Sequence, residues 1–179
     1  GVELGYQEQD MKDGMALKAA VEALPAPGVM QDIQAAVDYA AQAGKVGVVG
    51  YCWGGLLAWR AASEFDCLHA AVTHYGGGMD SVNDQARSPR CPVLAHFGSD
   101  GRWMSRTGVQ SFVQAQARRA SADPGAPATQ VMVHAAGYGF MQPGRSAYDE
   151  TAAETAHQRT LAFLAEHLQP TRQAVPLAA

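Results

Sequence analysis

Two periods of apolar and polar positions take turns along the chain. Over residues 7–24, Met11, Met15, Leu17 and Val21 fall in helical spacing until Pro25 and Pro27 break it. A second helix is predicted over 29–43, with Ile33, Val37 and Tyr39-Ala40 spaced for one face and Gly44 as its stop. Lys45-Val46-Gly47-Val48-Val49 is a short β-branched run of the kind that buried parallel strands carry. A third helix over 53–63 follows at once. Residues 69–74 and 92–97 read as strands, separated by a polar, loop-like stretch over 79–89. A helix over 109–120, a loop at Pro124-Gly125-Ala126-Pro127 and a strand over 129–134 come next. The last helix, over 148–168, carries Leu161, Leu164 and Leu168 on one side, and the tail over 169–179 is expected to be disordered. This alternation predicts an α/β fold, a mainly parallel sheet with helices on both faces, in one domain over residues 1–168.

Composition narrows the class. With 179 residues, 47% of them hydrophobic and 17% charged, the chain suits one soluble globular domain. A formal net charge of −4 gives no electrostatic footprint for nucleic acid or an anionic membrane surface. No run approaches the roughly 18–20 apolar residues that span a bilayer, and the first residues lack a signal-peptide pattern. A cytoplasmic monomer acting on a small molecule is the expectation. Cys52, Cys67 and Cys91 match neither a disulfide framework nor a zinc pattern, and no His, Cys, Asp and Glu set has metal-ligand spacing. Cys67 and Cys91 read as small buried hydrophobes, and His74 and His96 as structural strand residues.

Cys52 reads differently. Gly50-Tyr51-Cys52-Trp53-Gly54-Gly55 follows a strand and opens a helix, the setting of a G-x-S-x-G nucleophile elbow with cysteine in the serine position. Such a turn is strained, so small residues two before and two after the nucleophile avoid clashes with strand and helix. The thiol then stands at a helix N-terminus, whose dipole favours negative charge. The backbone N–H of Trp53 points where an oxyanion would develop. A phosphate-binding loop is excluded because Leu56 and Leu57 follow the glycines where lysine and a hydroxyl residue are needed.

Taken with Tyr75-Gly76-Gly77-Gly78, the run from Cys91 to Gly98, Gly137-Tyr138-Gly139-Phe140, Ser146-Ala147-Tyr148-Asp149 and the run from Arg159 to Leu168, the elbow segment resembles the dienelactone hydrolase family. The resemblance implies an α/β-hydrolase fold with no metal or organic cofactor. It implies hydrolysis of ester or enol-lactone bonds, such as that of dienelactone, in the degradation of chlorinated aromatics. It also implies a chain truncated at its N-terminus, lacking the first strands and the loop that donates the second oxyanion N–H. Loss of one such donor costs on the order of 10²–10³ in rate.

The sequence departs from the family at the positions that activate the nucleophile. The histidine of the family's G-H-G-F segment is Tyr138 here, a phenol with an ordinary pKa near ~10 that donates a hydrogen bond at neutral pH. His134 is the nearest substitute base. Ungapped, the acid position falls on Gly101; a one-residue loop shift brings Asp100 to it, and both readings stand. The family's carboxylate-binding arginine is replaced near Gln142, with Arg102 and Arg145 close by in the chain, while Trp53 and Trp103 are candidates to line the pocket. The resulting expectation is a hydrolase with catalytic Cys52, Asp100 and Tyr138, the Trp53 N–H as oxyanion donor, substrate contacts from Trp103 and Gln142, and impaired turnover. A non-catalytic small-molecule binder and a redox protein using the Cys52 thiol are the alternatives.

Overall fold

The computed structural model describes residues 2–100 and 104–169. Strands β1 (Val46–Tyr51), β2 (Leu68–His74), β3 (Val93–Asp100) and β4 (Thr129–Gly137) form one sheet in the order β1-β2-β3-β4, with every pair parallel. Helices α1 (Glu8–Glu22), α2 (Val29–Ala41), α3 (Trp53–Glu64), α4 (Val82–Gln85), α5 (Arg106–Ala122) and α6 (Glu150–Leu168) complete the described elements.

Alternation along the strands sorts side chains to two faces. Val46, Ala71, Val93, Ala95 and Phe97 pack with Val37 of α2, Trp59 of α3 and Phe112 of α5. Ala70, Val72 and Leu94 on the other face pack with Phe163, Leu164 and Leu168 of α6. Leu161, expected on the same side of that helix, is 49% exposed; the inward positions are Ala152, Ala153, Ala156, Thr160 and Phe163. Three alanines and a threonine let the helix lie close to the strand ends.

The first helix forms as predicted, yet no residue of α1 is buried. β3 and β4 run on past their predicted ends to Asp100 and Gly137. Gly98 permits this close approach, since a Cβ there would lie 2.5 Å from the Ala136 carbonyl oxygen.

The stretch read as a polar loop holds α4 and a buried charge. The Ser81 hydroxyl caps α4, accepting the Asp84 N–H at 3.2 Å. The Asp84 carboxylate is taken by Arg60 from two nitrogens at 2.9 Å each, by Arg87 at 2.8 Å and by the Ser81 hydroxyl at 2.9 Å. Burial alone would raise the Asp84 carboxyl, but the hydrogen bonds from Arg60, Ser81 and Arg87 hold it below the usual carboxylate range. The Asp84 carbonyl also accepts from Trp59 Nε1 at 2.8 Å, which ties this segment to the core. Asp84→Ala removes the shared acceptor and leaves Arg60 unpaired on α3, while Arg87 keeps only Glu64 at 2.7 Å. Because both arginines keep partial access to solvent, the expected loss is about 2–3 kcal/mol, read as a lower urea midpoint with an unchanged slope.

Candidate active site

The end of β1 and the start of α3 meet at a backbone turn with very little room. Cys52 has φ 56° and ψ −123°, a left-handed conformation that costs a non-glycine residue of order 1–3 kcal/mol. Its N–H donates to the His74 carbonyl at 2.9 Å. A Cβ on Gly50 would lie 1.9 Å from the Gly54 carbonyl oxygen, and one on Gly55 would lie 2.9 Å from the His74 carbonyl oxygen. Gly54 faces open space, so the second steric requirement falls at Gly55, one residue later than the elbow pattern predicts. Packing on both sides fixes the turn and leaves the Cys52 thiol exposed.

Trp53 is the first residue of α3, so its N–H has no acceptor within the helix and is free to meet a ligand oxygen beside the sulfur. Its half-buried ring packs against the core, with Lys18 Nζ of α1 5.4 Å from the ring centroid.

From the opposite side, the Tyr138 hydroxyl donates to Cys52 Sγ at 2.7 Å. Three contacts hold Tyr138 there. Its N–H donates to the Asp100 carbonyl at 3.1 Å, its ring meets that of Tyr75 edge-on at 5.3 Å, and Tyr75 packs in turn on buried Phe140 at 5.4 Å. Tyr75 itself has φ 41°, fixed by its N–H on the His96 carbonyl at 2.7 Å. At the far end of the loop, Asp149 donates its N–H to the Phe140 carbonyl at 3.1 Å and caps α6 by accepting the Ala152 N–H at 2.8 Å. Burial, and then the hydrogen bond to Cys52, push the Tyr138 phenol far above its usual range; burial raises Tyr75 similarly. The group beside the sulfur is therefore a donor that keeps its proton.

The remaining candidates divide. Asp100 ends β3 exposed and contributes its backbone carbonyl to Tyr138; its carboxylate makes no hydrogen bond among the described residues. Gln142 is exposed on the loop after Tyr138, and its amide donates to the Tyr6 hydroxyl. Arg145 lies over the same Tyr6 ring, 5.6 Å from its centroid, so residues 6–11 are tied to this loop. Gly101, Arg102 and Trp103 lie outside the described residues. Cys91 is buried as expected, and burial pushes its thiol up to about 11. Cys67 is only half-buried and accepts a hydrogen bond from Gln34 at 3.4 Å, so it is not the buried hydrophobe its type suggests. Among the described residues no group of three or more His, Cys, Asp or Glu side chains is arranged to hold a metal ion. None of the described helices is long and apolar enough to cross a membrane.

His134 is turned away from the thiol. Its Nε2 meets His96 Nδ1 at 3.0 Å, inside a ladder that crosses the sheet beneath α6. Tyr51 stacks on His74 at 4.5 Å and His74 on His96 at 4.8 Å, while Thr160 Oγ1 lies 3.3 Å from His74 Nε2 and 3.4 Å from His96 Nε2. The unpartnered atom, buried His74 Nδ1, sets the sense of the chain. A proton on His74 Nε2 donates to Thr160, the Thr160 hydroxyl turns to His96 Nε2, and His96 Nδ1–H donates to His134. The opposite sense would bury an N–H with no acceptor, the costlier arrangement. Nothing short of the strand register announces this ladder, although histidine near the end of three successive strands was its trace in the sequence.

The profile of the dienelactone hydrolase family matches residues 4–168. The chain belongs to the dienelactone hydrolase family. A carboxymethylenebutenolidase of Pseudomonas putida is 33% identical over 141 residues, which is 75% of this chain and 56% of that protein. Another from a Pseudomonas species is 32% identical over 139 residues, 74% of this chain and 54% of the relative. The chain thus spans little more than half the length of these curated relatives. Among solved structures, a dienelactone hydrolase-like promiscuous phosphotriesterase from metagenomic libraries superposes with TM-score 0.63 at 25% identity, covering 78% of this chain and 62% of that one. In this family member the α/β-hydrolase sheet is present, with helices on both faces.

The ladder carries a pH dependence of stability. Burial holds His74 down to about 4 and His96 to about 3, while the unfolded chain protonates near ~6.5. Between those values the unfolded state binds the extra protons. Stability is therefore full above about pH 6.5 and falls toward pH 4, by up to ~1.4 kcal/mol per pH unit for each ring. Urea midpoints at about pH 7.5 and about pH 5 check this; the lower-pH midpoint should be clearly smaller, and Thr160→Val should lower both.

Proposed function

We propose that this chain is a carboxylic ester hydrolase that attacks a small ester or enol-lactone carbonyl through Cys52, and that its discharge to water is slow. The observation that carries the reading is the pair at the elbow, with Cys52 exposed at φ 56° and a phenol rather than an imidazole on its sulfur. Membership of the dienelactone hydrolase family and the carboxymethylenebutenolidase names of its relatives support an ester or lactone substrate. The match over residues 4–168 and the single sheet support one domain.

Each residue has a distinct part in this reading. The Cys52 sulfur adds to the carbonyl carbon, and the Trp53 N–H receives the developing oxyanion. Tyr138 donates to sulfur, and Asp100 holds Tyr138 through its backbone carbonyl rather than through its carboxylate. Trp103 and Gln142 remain candidates for the substrate side of the site. The alcohol or enolate leaves, and a thioester remains on Cys52. Its hydrolysis calls for a base on water, and Tyr138 is unsuited to that task because its proton is held tightly. A binder would have no need of a strained left-handed cysteine, which favours the nucleophile reading.

Steady-state turnover of p-nitrophenyl acetate tests this. Cys52→Ala should abolish it, whereas Tyr138→His should raise it on the order of 10²-fold by supplying a base. Equal turnover by the Cys52→Ala protein would refute the proposal.

A further inference from the structure

The reaction partner that suits this site can be derived from what surrounds the sulfur. The only side chain that hydrogen-bonds Cys52 among the described residues is Tyr138, a donor. None of the six histidines serves it. His74, His96 and His134 are locked in the ladder, His69 accepts the Val46 N–H at 3.4 Å, His157 lies on α6, and His167 packs on Phe163. An acyl group on Cys52 thus meets an exposed face with an oxyanion donor and, among the described residues, no hydrogen-bonded base.

Water is a poor acceptor under those conditions, because it must lose a proton to attack. A small thiol differs in ionising by itself. At about pH 7 a thiol of pKa ~8.5 is roughly 3% thiolate, so about 1 mM thiol supplies about 30 μM anion against about 0.1 μM hydroxide. The nucleophile excess is on the order of 10², before the greater intrinsic reactivity of sulfur.

We propose that this site transfers acyl groups from an ester or lactone to a small thiol in preference to water. The inference rests on Cys52 being the nucleophile. In the first step, Cys52 sulfur bonds to the acyl carbon, the acyl C–O bond breaks, and the leaving oxygen takes up the thiol's proton by way of solvent. In the second, the acceptor thiolate bonds to the acyl carbon and the C–S bond to Cys52 breaks, with the electron pair returning to Cys52. The Trp53 N–H serves both tetrahedral states. Tyr138 acts in the second step, where its hydroxyl, 2.7 Å from the sulfur at rest, donates to the departing thiolate. No net proton transfer occurs in that exchange, so the missing base does not matter.

The test follows p-nitrophenyl acetate with and without about 1 mM N-acetylcysteamine, taking rates over a Cys52→Ala background. Without thiol, about one equivalent of p-nitrophenol should appear in a burst, with the protein mass raised by one acetyl group on Cys52. With thiol, the steady rate should rise on the order of 10²-fold and S-acetyl-N-acetylcysteamine should account for the acyl group. Acylated Cys52 that turns over at the same rate with and without thiol, giving only acetate, would overturn the acceptor preference while leaving the nucleophile in place. No acylation of Cys52 would instead remove the nucleophile reading, and this inference with it. Tyr138→His provides the converse, since its steady rate should become nearly independent of thiol.

Discussion

The lack of room for any side chain at Gly50, where a Cβ would lie 1.9 Å from the Gly54 carbonyl oxygen, governs how the chain turns from strand to helix. With Gly55 packed against the His74 carbonyl on the other side, Cys52 has no alternative to its left-handed backbone. The exposure of the thiol, the free N–H of Trp53 and the entry angle of α3 all follow from that turn. The same His74 carbonyl that crowds Gly55 also accepts the Cys52 N–H, so the next strand supports the turn directly. Tyr75, itself at φ 41°, repeats the device one strand further on, with its N–H on the His96 carbonyl. Two strained residues thus lie at neighbouring strand ends, each held by a carbonyl from the histidine ladder beneath them.

That ladder explains why histidines are near the site and yet serve none of its chemistry. Stacking from Tyr51 through His74 to His96 and the bond on to His134 hold these rings within the ladder, and the unpartnered His74 Nδ1 is buried. Burial keeps His74 and His96 neutral, and Thr160 of α6 closes the chain between them. The ladder is a buried, hydrogen-bonded floor. Above it, a phenol replaces the proton acceptor with a fixed donor. The proposed consequence is a change in which acceptor the acyl group meets, since a partner that brings its own charge needs no help from the protein.

Much of this was legible from residue order. The alternation of periods gives the parallel sheet and both helix layers, and Gly50 through Gly55 gives the tight turn with its exposed cysteine. Tyr138 stands on the sulfur at the position where the family motif has histidine. What could not be read depends on distances across the fold. Gly54 and Gly55 are alike in sequence, and only the approach of His74 and Gly76 separates their roles. Asp84 sits in a polar stretch that resembles a loop until Arg60 and Arg87 converge on it from α3 and the following turn. Leu161 has helical spacing with Leu164 and Leu168, but the small residues Ala153 and Ala156 decide which side of α6 meets the sheet. The Asp100 carbonyl, not its side chain, contacts Tyr138, a distinction that sequence does not record.

Slow discharge to water, as proposed, requires that none of the described groups beside Cys52 takes a proton from water. This requirement is tested most directly by isolating the S-acetyl Cys52 protein and following its hydrolysis against pH, without thiol, from about pH 6 to about pH 9. With a locked phenol beside the sulfur, the logarithm of the rate should rise with pH at unit slope and without a plateau, the signature of free hydroxide attack. A sigmoidal profile levelling above an apparent pKa near ~6.5–7 would reveal a general base at the site and contradict the account.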